Sequence, residues 1–422
     1  LEDSKKFKED IVWNFISLIV LALSGIVLNI LIGVLYDAAT LGVFNQVLAT
    51  YIFFSMFAVG GINLSALKLL AEDHHNKSRN HEVIWSAVLL TTLSSALFVT
   101  IYCYIRELVA HLLNSPNVAV GMTWIAPGLF FFGVNKTILS SINALQKMKA
   151  FAVFQGLRYA NLLTGFLIAV SLGFPGEQLS FVFSFSEITL FLIMLGYMRE
   201  FWAKPLGNNW LSFLPYHLKF GTKGALSGAL LELNSRVDVL MLGYFLTDKV
   251  TGIYSFAAML YEGFMQFLVV LQNNYNPHLS NFLHNKKWEA LVEAIKKGRN
   301  LTYKYALVLV PLTIACYPIG ISIVFGSGSE FAASWQPFLI LMIGLLISAG
   351  YLPFQHLLVM GGLPGWHTFF MIITVVFNIL FNWVLIPIYG LNGAAMGTAL
   401  SLTLSSITLL VLTKQKLKLS LI

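Results

Sequence analysis

Residues 231–245 read LELNSRVDVLMLGYF, with three ionisable side chains, Glu232, Arg236 and Asp238, set inside an otherwise apolar run. The run extends on both sides to roughly 219–246, which as a helix is long enough to cross a ~30 Å hydrocarbon core. Runs of similar length recur through the whole chain. The chain has 422 residues, 57% hydrophobic and only 11% charged, whereas soluble domains carry about 25% charged residues. A water-soluble globular protein is therefore excluded. The expected fold class is an all-α polytopic membrane protein of about twelve transmembrane helices in two six-helix lobes. The spans fall near 11–35, 43–68, 83–105, 119–145, 151–172, 180–198, 219–246, 251–274, 301–325, 334–358, 367–386 and 391–412.

An even number of spans puts both termini on one side, and the basic residues say which. Of the 26 lysines and arginines, the outer loops hold only Arg106 and Lys249, and the spans hold Lys136, Arg158 and Arg236. All others fall on the side of the N-terminus, which the positive-inside rule makes cytoplasmic. The expected location is the bacterial cytoplasmic (inner) membrane, multi-pass, with both termini inside. The net charge of +7 then reports orientation, and no nucleic-acid partner is implied. LEDSKKFKED (1–10) reads as a cytoplasmic lead-in, because it lacks the h-region and cleavage site of a signal peptide. Cys103 and Cys316 lie in apolar runs and read as packing residues, with a disulfide open only if both approach the outer side.

The chain resembles itself at an offset of 210. LIGVLYDAATLGVFN (31–45) lies over MLGYFLTDKVTGIYS (241–255), matching Gly33 to Gly243 and Gly42 to Gly252. The same offset pairs Asn63 with Asn273. Two halves of six spans in the same orientation form a parallel repeat, with chance likeness of two apolar hairpins as the alternative. The expected division is an N-terminal lobe over 1–198, a cytoplasmic linker over 199–218 and a C-terminal lobe over 219–422. In 281–300, Trp288, Leu291, Val292 and Ile295 oppose Lys286, Lys287, Lys296 and Lys297, which predicts an amphipathic helix lying at the cytoplasmic interface.

Ionisable residues inside a span cost at least ~2.5–3.5 kcal/mol at the bilayer centre and mark bundle interiors or wet paths. In span seven, Lys223, Ser227, Asn234 and Asp238 share one face within about 60°. Glu232 and Arg236 lie opposite, spaced i,i+4 in the order that favours an ion pair. Either that pair neutralises itself and buttresses the bundle, or Arg236 and Asp238 line a hydrated path. Glu262 in span eight falls at about the depth of Arg236, while Glu187 in span six falls nearer the outside. Lys136 and Arg158 have no acid on neighbouring turns. They either snorkel to headgroups or form a cationic wall suited to a phosphate-bearing substrate.

Other motifs are informative by their absence. The chain has no GxxxxGK[ST] and no HExxH. The histidines of HHNKSRNH (74–81) read as a solvated turn, not a metal site, and GSGSE (326–330) and GGLPG (361–365) are turn signals. No catalytic pair assembles, so the chain reads as a carrier and not an enzyme.

LGYFLTDKVTGIYSFA after NSRVD, GVLYDAATLGVFN in the first half and PIYGLNGAAMGTALS near the end resemble the Wzx-type polysaccharide and O-antigen flippases. These form the polysaccharide-transporter branch of the multidrug/oligosaccharidyl-lipid/polysaccharide exporter (MOP) superfamily. The resemblance covers essentially the whole chain. It implies a MATE-like pair of lobes around a central cavity with alternating access, and an undecaprenyl-diphosphate-linked glycan carried outward for surface polysaccharide synthesis. Membrane lipids and the polysaccharide polymerase or ligase machinery are the implied partners. Lys136, Arg158 and Arg236 match the family's cationic cavity by depth. No cofactor is implied beyond proton or sodium coupling, for which Glu187, Glu232, Asp238 and Glu262 are the carboxylates, with Asn63 and Asn273 as further polar candidates. A MATE-type multidrug/cation antiporter is the rival reading.

Overall fold

Tight turns between long helices set the architecture of the computed structural model, which describes residues 24–73, 76–202, 207 and 209–419. Asn114, Gln146 and Lys286 adopt left-handed φ of 50°, 57° and 54°. In each turn the next amide reaches back over the helix end: Ser115 N to Ala110 O (3.0 Å), Lys147 N to Ile142 O (3.1 Å) and Lys287 N to Phe282 O (2.9 Å). This closure satisfies carbonyls that a helix end would otherwise leave bare. It lets the next helix start at once.

The helices are α1 (Ser24–Leu35), then α2 (Ala38–Val59), α3 (Ile62–Glu72), α4 (Lys77–Leu112), α5 (Pro116–Ala144), α6 (Met148–Ser171), α7 (Phe181–Tyr197) and α8 (Arg199–Trp202). They continue as α9 (Leu214–Phe245), α10 (Asp248–His284), α11 (Trp288–Phe325), α12 (Trp335–Ser348), α13 (Leu357–Met360), α14 (Pro364–Tyr389) and α15 (Leu391–Lys416). Among the described residues there is no strand. Among the described residues ten helices are long and apolar enough to cross a membrane, so the protein is an all-α multi-pass membrane protein. Helix α1 is a shorter apolar helix, and α9 is not among the ten. On α11, Leu307, Val308, Ile319 and Ile323 remain exposed, the last at 79%, as lipid-facing side chains do.

The chain divides into two compact units, Leu1–Ile32 with Val43–Glu232 and Gly33–Gly42 with Leu233–Ile422. In the first, Val134, Ile138, Leu190 and Met194 form a core between α5 and α7, joined by Phe154 of α6. In the second, Leu279, Leu291, Phe354, Phe370 and Leu409 gather α10, α11, α14 and α15 around the short turn at 352–354.

Three expectations need correction. Span two is not one helix: it breaks at Gly60 and Gly61, both at positive φ, because a β-carbon on Gly61 would overlap the carbonyl oxygen of Gly221. The segment 281–300 is not a separate interfacial helix. It is the end of α10, a turn, and the start of α11, and Leu291 and Ile295 are buried in the second unit's core. Half of its apolar stripe is spent on protein, while Trp288 and Val292 stay exposed at 44% and 41%. Finally, both cysteines are free, and Cys316 is exposed, not packed. The lead-in, the first part of span one, and the side chains of Lys223 and Ser227 lie outside the described residues.

In the second unit, α2 and α10 approach at Gly42 and Gly252. A β-carbon on Gly42 would overlap Asp248 O and lie 2.9 Å from Gly252 N; one on Gly252 would overlap Ala38 O and lie 2.8 Å from Gly42 N. Only glycine admits this spacing. Beside it, Glu330 accepts from the Ala38 amide (2.8 Å) and pairs with Lys249 (2.8 Å).

Candidate functional site: charged clusters within the spans

In the first unit, α6 begins at Met148 and α7 ends at Tyr197. Arg158 and Glu187 are each ten residues from those ends, about 15 Å along antiparallel helices, so they meet. Arg158 Nε lies 2.8 Å from Glu187 Oε1, with side chains only 11% and 4% exposed. A second Arg158 nitrogen donates to Oε2 at 3.2 Å. Asn135 Nδ2 donates to Oε2 at 2.7 Å and to the Glu187 carbonyl at 2.8 Å. The fork of the guanidinium against a carboxylate held by a third group is the strong form of a buried ion pair. Arg158 therefore has an acid partner, and Glu187 lies at its depth, not nearer the outside.

Lys136, half-buried one residue after Asn135, shares a ring with that pair. Its Nζ lies 5.3 Å from the Phe132 centroid, and Arg158 Cζ lies 5.1 Å from it. Two cations over one aromatic ring gain from its quadrupole when water is scarce. Tyr51 packs edge-on against the same ring at 5.7 Å. Lys136 also feels the charges of Arg158, Glu232 and Glu187. Asn63 is buried and donates weakly to Ser140 Oγ (3.4 Å).

In the second unit, Arg236 of α9 bridges to Glu262 of α10 by two contacts of 3.2 Å, its side chain 22% exposed. On the other face of α9, Asp238 is buried. Its carboxylate accepts from Tyr254 Oη and, at 3.4 Å, from Thr398 Oγ1. On the same face Asn234 accepts from Asn378 (3.2 Å), which in turn accepts from Asn382 (2.7 Å). Asn382 Oδ1 is buried with no hydrogen-bond partner. Asn273, paired with Asn63 by the repeat, is exposed.

The sequence reading missed Asn135, Phe132, Tyr254, Thr398, Asn378 and Asn382. The one available signal was the i,i+4 spacing of Asn378 and Asn382 in an otherwise apolar span. Among the described residues no group of three or more His, Cys, Asp or Glu gathers as a metal site.

Comparison with known proteins gives the frame for these clusters. No curated protein sequence matches the chain. The fold is similar to that of the lipid II flippase MurJ in an inward closed conformation, at 15% identity, 96% of this chain, 87% of that one and a TM-score of 0.76. It is similar also to an inward-facing multidrug resistance MATE family transporter of the MOP superfamily (11% identity, 94% of each chain, TM-score 0.78). A MOP superfamily transporter from Pyrococcus furiosus aligns at 13% identity over 96% of this chain and 94% of that one, with a TM-score of 0.60. The polysaccharide biosynthesis protein family matches residues 7–280, well over half of the sequence. The chain therefore belongs to the polysaccharide biosynthesis protein family.

Proposed function

We propose that the protein is a flippase moving a lipid-linked oligosaccharide, on undecaprenyl diphosphate, from the cytoplasmic to the outer leaflet for surface polysaccharide synthesis. The observation that carries the reading is the Lys136–Phe132–Arg158 arrangement, two membrane-depth cations on one ring, in a chain of a polysaccharide biosynthesis family. A diphosphate is the cargo group such cations attract, and Arg158 is held in place by Glu187 and Asn135 ready to receive it. In this reading the six-span halves, 1–198 and 219–422 joined by 199–218, alternate in access. Lys136, Arg158 and Arg236 receive the diphosphate while the prenyl tail stays in lipid.

Asp238 is the carboxylate we assign to proton or sodium coupling. It is buried among oxygen donors and acceptors (Tyr254, Thr398), with the unpartnered Asn382 oxygen aimed at the same helix: a β-carbon on Gly397 would lie 2.8 Å from it. Oxygen-only surroundings suit hard cations and protons. The test is translocation of fluorescent lipid-linked oligosaccharide in proteoliposomes, with Lys136→Gln and Arg236→Gln variants at equal incorporation. Loss of transport in both supports the site. Full transport in both removes it.

The rival reading, a MATE-type multidrug/cation antiporter, draws on the acids Glu187, Asp238 and Glu262 and on the MATE-like fold. Resistance profiling of overexpressing cells separates the two. Resistance to organic cations with unaltered surface polysaccharide would favour the antiporter.

A further inference from the structure

The turn after α5 opens onto a groove that the charged clusters do not use. Its volume is about 760 Å³, and it lies between α6 and the last two turns of α7. Lys147 and Lys149 are among its lining residues, both exposed. Below them Ala150, Val153, Phe154 and Leu157 line one wall at i, i+3, i+4 and i+7, while Ile193 and Tyr197 line the other. From Gln146 to Leu157 this wall runs about 16 Å down the helix. Val153, Ile193 and Tyr197 are 41%, 40% and 49% exposed, so the groove opens towards acyl chains. Glu187 lies about 120° around α7 from Ile193, so the ion pair with Arg158 is on another face.

The lining is amphiphilic along one axis: two cations and an aromatic at the level where the spans end, apolar side chains deeper. Lys147 Nζ sits 5.8 Å from the Tyr197 centroid, and none of the lining residues is acidic. An ammonium at that level finds its counter-charge in phosphate, and the stripe beneath accepts one hydrocarbon chain.

We infer that the groove between α6 and α7 is a binding site for one anionic phospholipid, its headgroup phosphate on Lys147 and Lys149 and one acyl chain along Val153, Leu157 and Ile193. The polyprenyl carrier has the same phosphate-and-tail chemistry. The groove faces the bilayer away from the intramembrane charges, which suits a resident lipid over a cargo that has to pass and leave. The inference rests on the membrane fold alone, and it stands whichever cargo the protein carries.

The test uses the full-length protein in detergent, stripped of lipid and titrated with dioleoylphosphatidylglycerol, dioleoylphosphatidylcholine or undecaprenyl phosphate. Native mass spectrometry reads bound lipid, and thermal shift reads affinity. The expected preference for phosphatidylglycerol over phosphatidylcholine is roughly thirtyfold, about fivefold per lysine at the headgroup layer. The Lys147→Gln/Lys149→Gln double variant, which changes only exposed side chains, is expected to lose that preference. Val153→Trp, which fills the apolar half with both lysines in place, is expected to weaken both phospholipids together. Equal binding of the two phospholipids by the unmodified protein, or a preference that survives in the double variant, overturns the site. Displacement of phosphatidylglycerol by equimolar undecaprenyl phosphate overturns the choice of occupant.

Discussion

Gly42 and Gly252, matched at an offset of 210 in the sequence, touch each other backbone to backbone where α2 meets α10. The contact needs both residues to lack a β-carbon, so it is a packing constraint and not only a turn preference.

Gly42→Ala therefore drives a methyl group into the Asp248 carbonyl, and overpacking of this kind costs about 1–3 kcal/mol. The expected result is a lower thermal midpoint in detergent. Gly173→Ala, at a turn with nothing within 4 Å, is the comparison, and its penalty comes from its φ of 70° alone. A Gly42→Ala protein as stable as the parent would refute the close approach.

Breaking the Arg158–Glu187 pair is expected to cost more than removing it. Glu187→Ala leaves a guanidinium at 11% exposure without its carboxylate, a loss of roughly 3–5 kcal/mol by analogy with other buried pairs. The double variant Arg158→Met/Glu187→Leu is expected to recover much of that stability, since no buried charge is left alone. Its transport is expected to stay absent if Arg158 receives the cargo. Thermal melts with a parallel flipping assay check both halves.

Asp238→Asn keeps an oxygen for Tyr254 and Thr398 to donate to, so the fold is expected to survive. Dependence of transport on an imposed sodium or proton gradient is expected to disappear. Transport by the variant that still follows the gradient would move coupling to another carboxylate.

His217, in the first turn of α9 and ahead of the span expected over 219–246, supplies a pH prediction. Its Nδ1 lies 2.5 Å from Ser65 Oγ and its Nε2 lies 3.1 Å from Ser86 Oγ, with the ring fully buried. Burial pushes its pKa down from 6.5 to about 4. The unfolded chain then binds the proton first as pH falls. The neutral ring's contribution is complete above pH 6.5 and is lost progressively between 6.5 and about 4. The full loss is roughly 3 kcal/mol at most. A His217→Gln variant is expected to show a flatter melting-temperature profile between pH 7.5 and 4.5, and an unchanged profile would remove His217 as the cause.

The readable part of the site was the part set by depth. Counting residues from the outer ends of spans seven and eight put Arg236 level with Glu262, and the two are bridged. The same count failed for Glu187, because the true ends of α6 and α7 lie at Met148 and Tyr197. The expected inner ends, 151 and 198, miss these by three residues and one, which together shift the two side chains by about 6 Å relative to each other. Asn378 and Asn382 escaped notice because the polar candidates in that part of the chain were chosen by formal charge and an amide has none, although together they carry the polar chain that starts at Asn234. The stripe at 288–295 was visible as a helix face. What covers that face was not, since lipid and protein look alike to a periodic pattern.

The amino-acid sequence by itself determined that the chain crosses a membrane many times as helices, because length and apolarity are sums taken along a run. It determined too that Lys136, Arg158, Arg236 and Asp238 fall within apolar runs, where charge is costly. Only the tertiary structure decided that Arg158 answers Glu187, that Lys136 shares Phe132 with it, and that Asp238 faces Tyr254. Those pairings depend on each helix's rotation and on which helix stands next to it. Both are settled by packing between segments far apart in the chain, and no local run of residues encodes them.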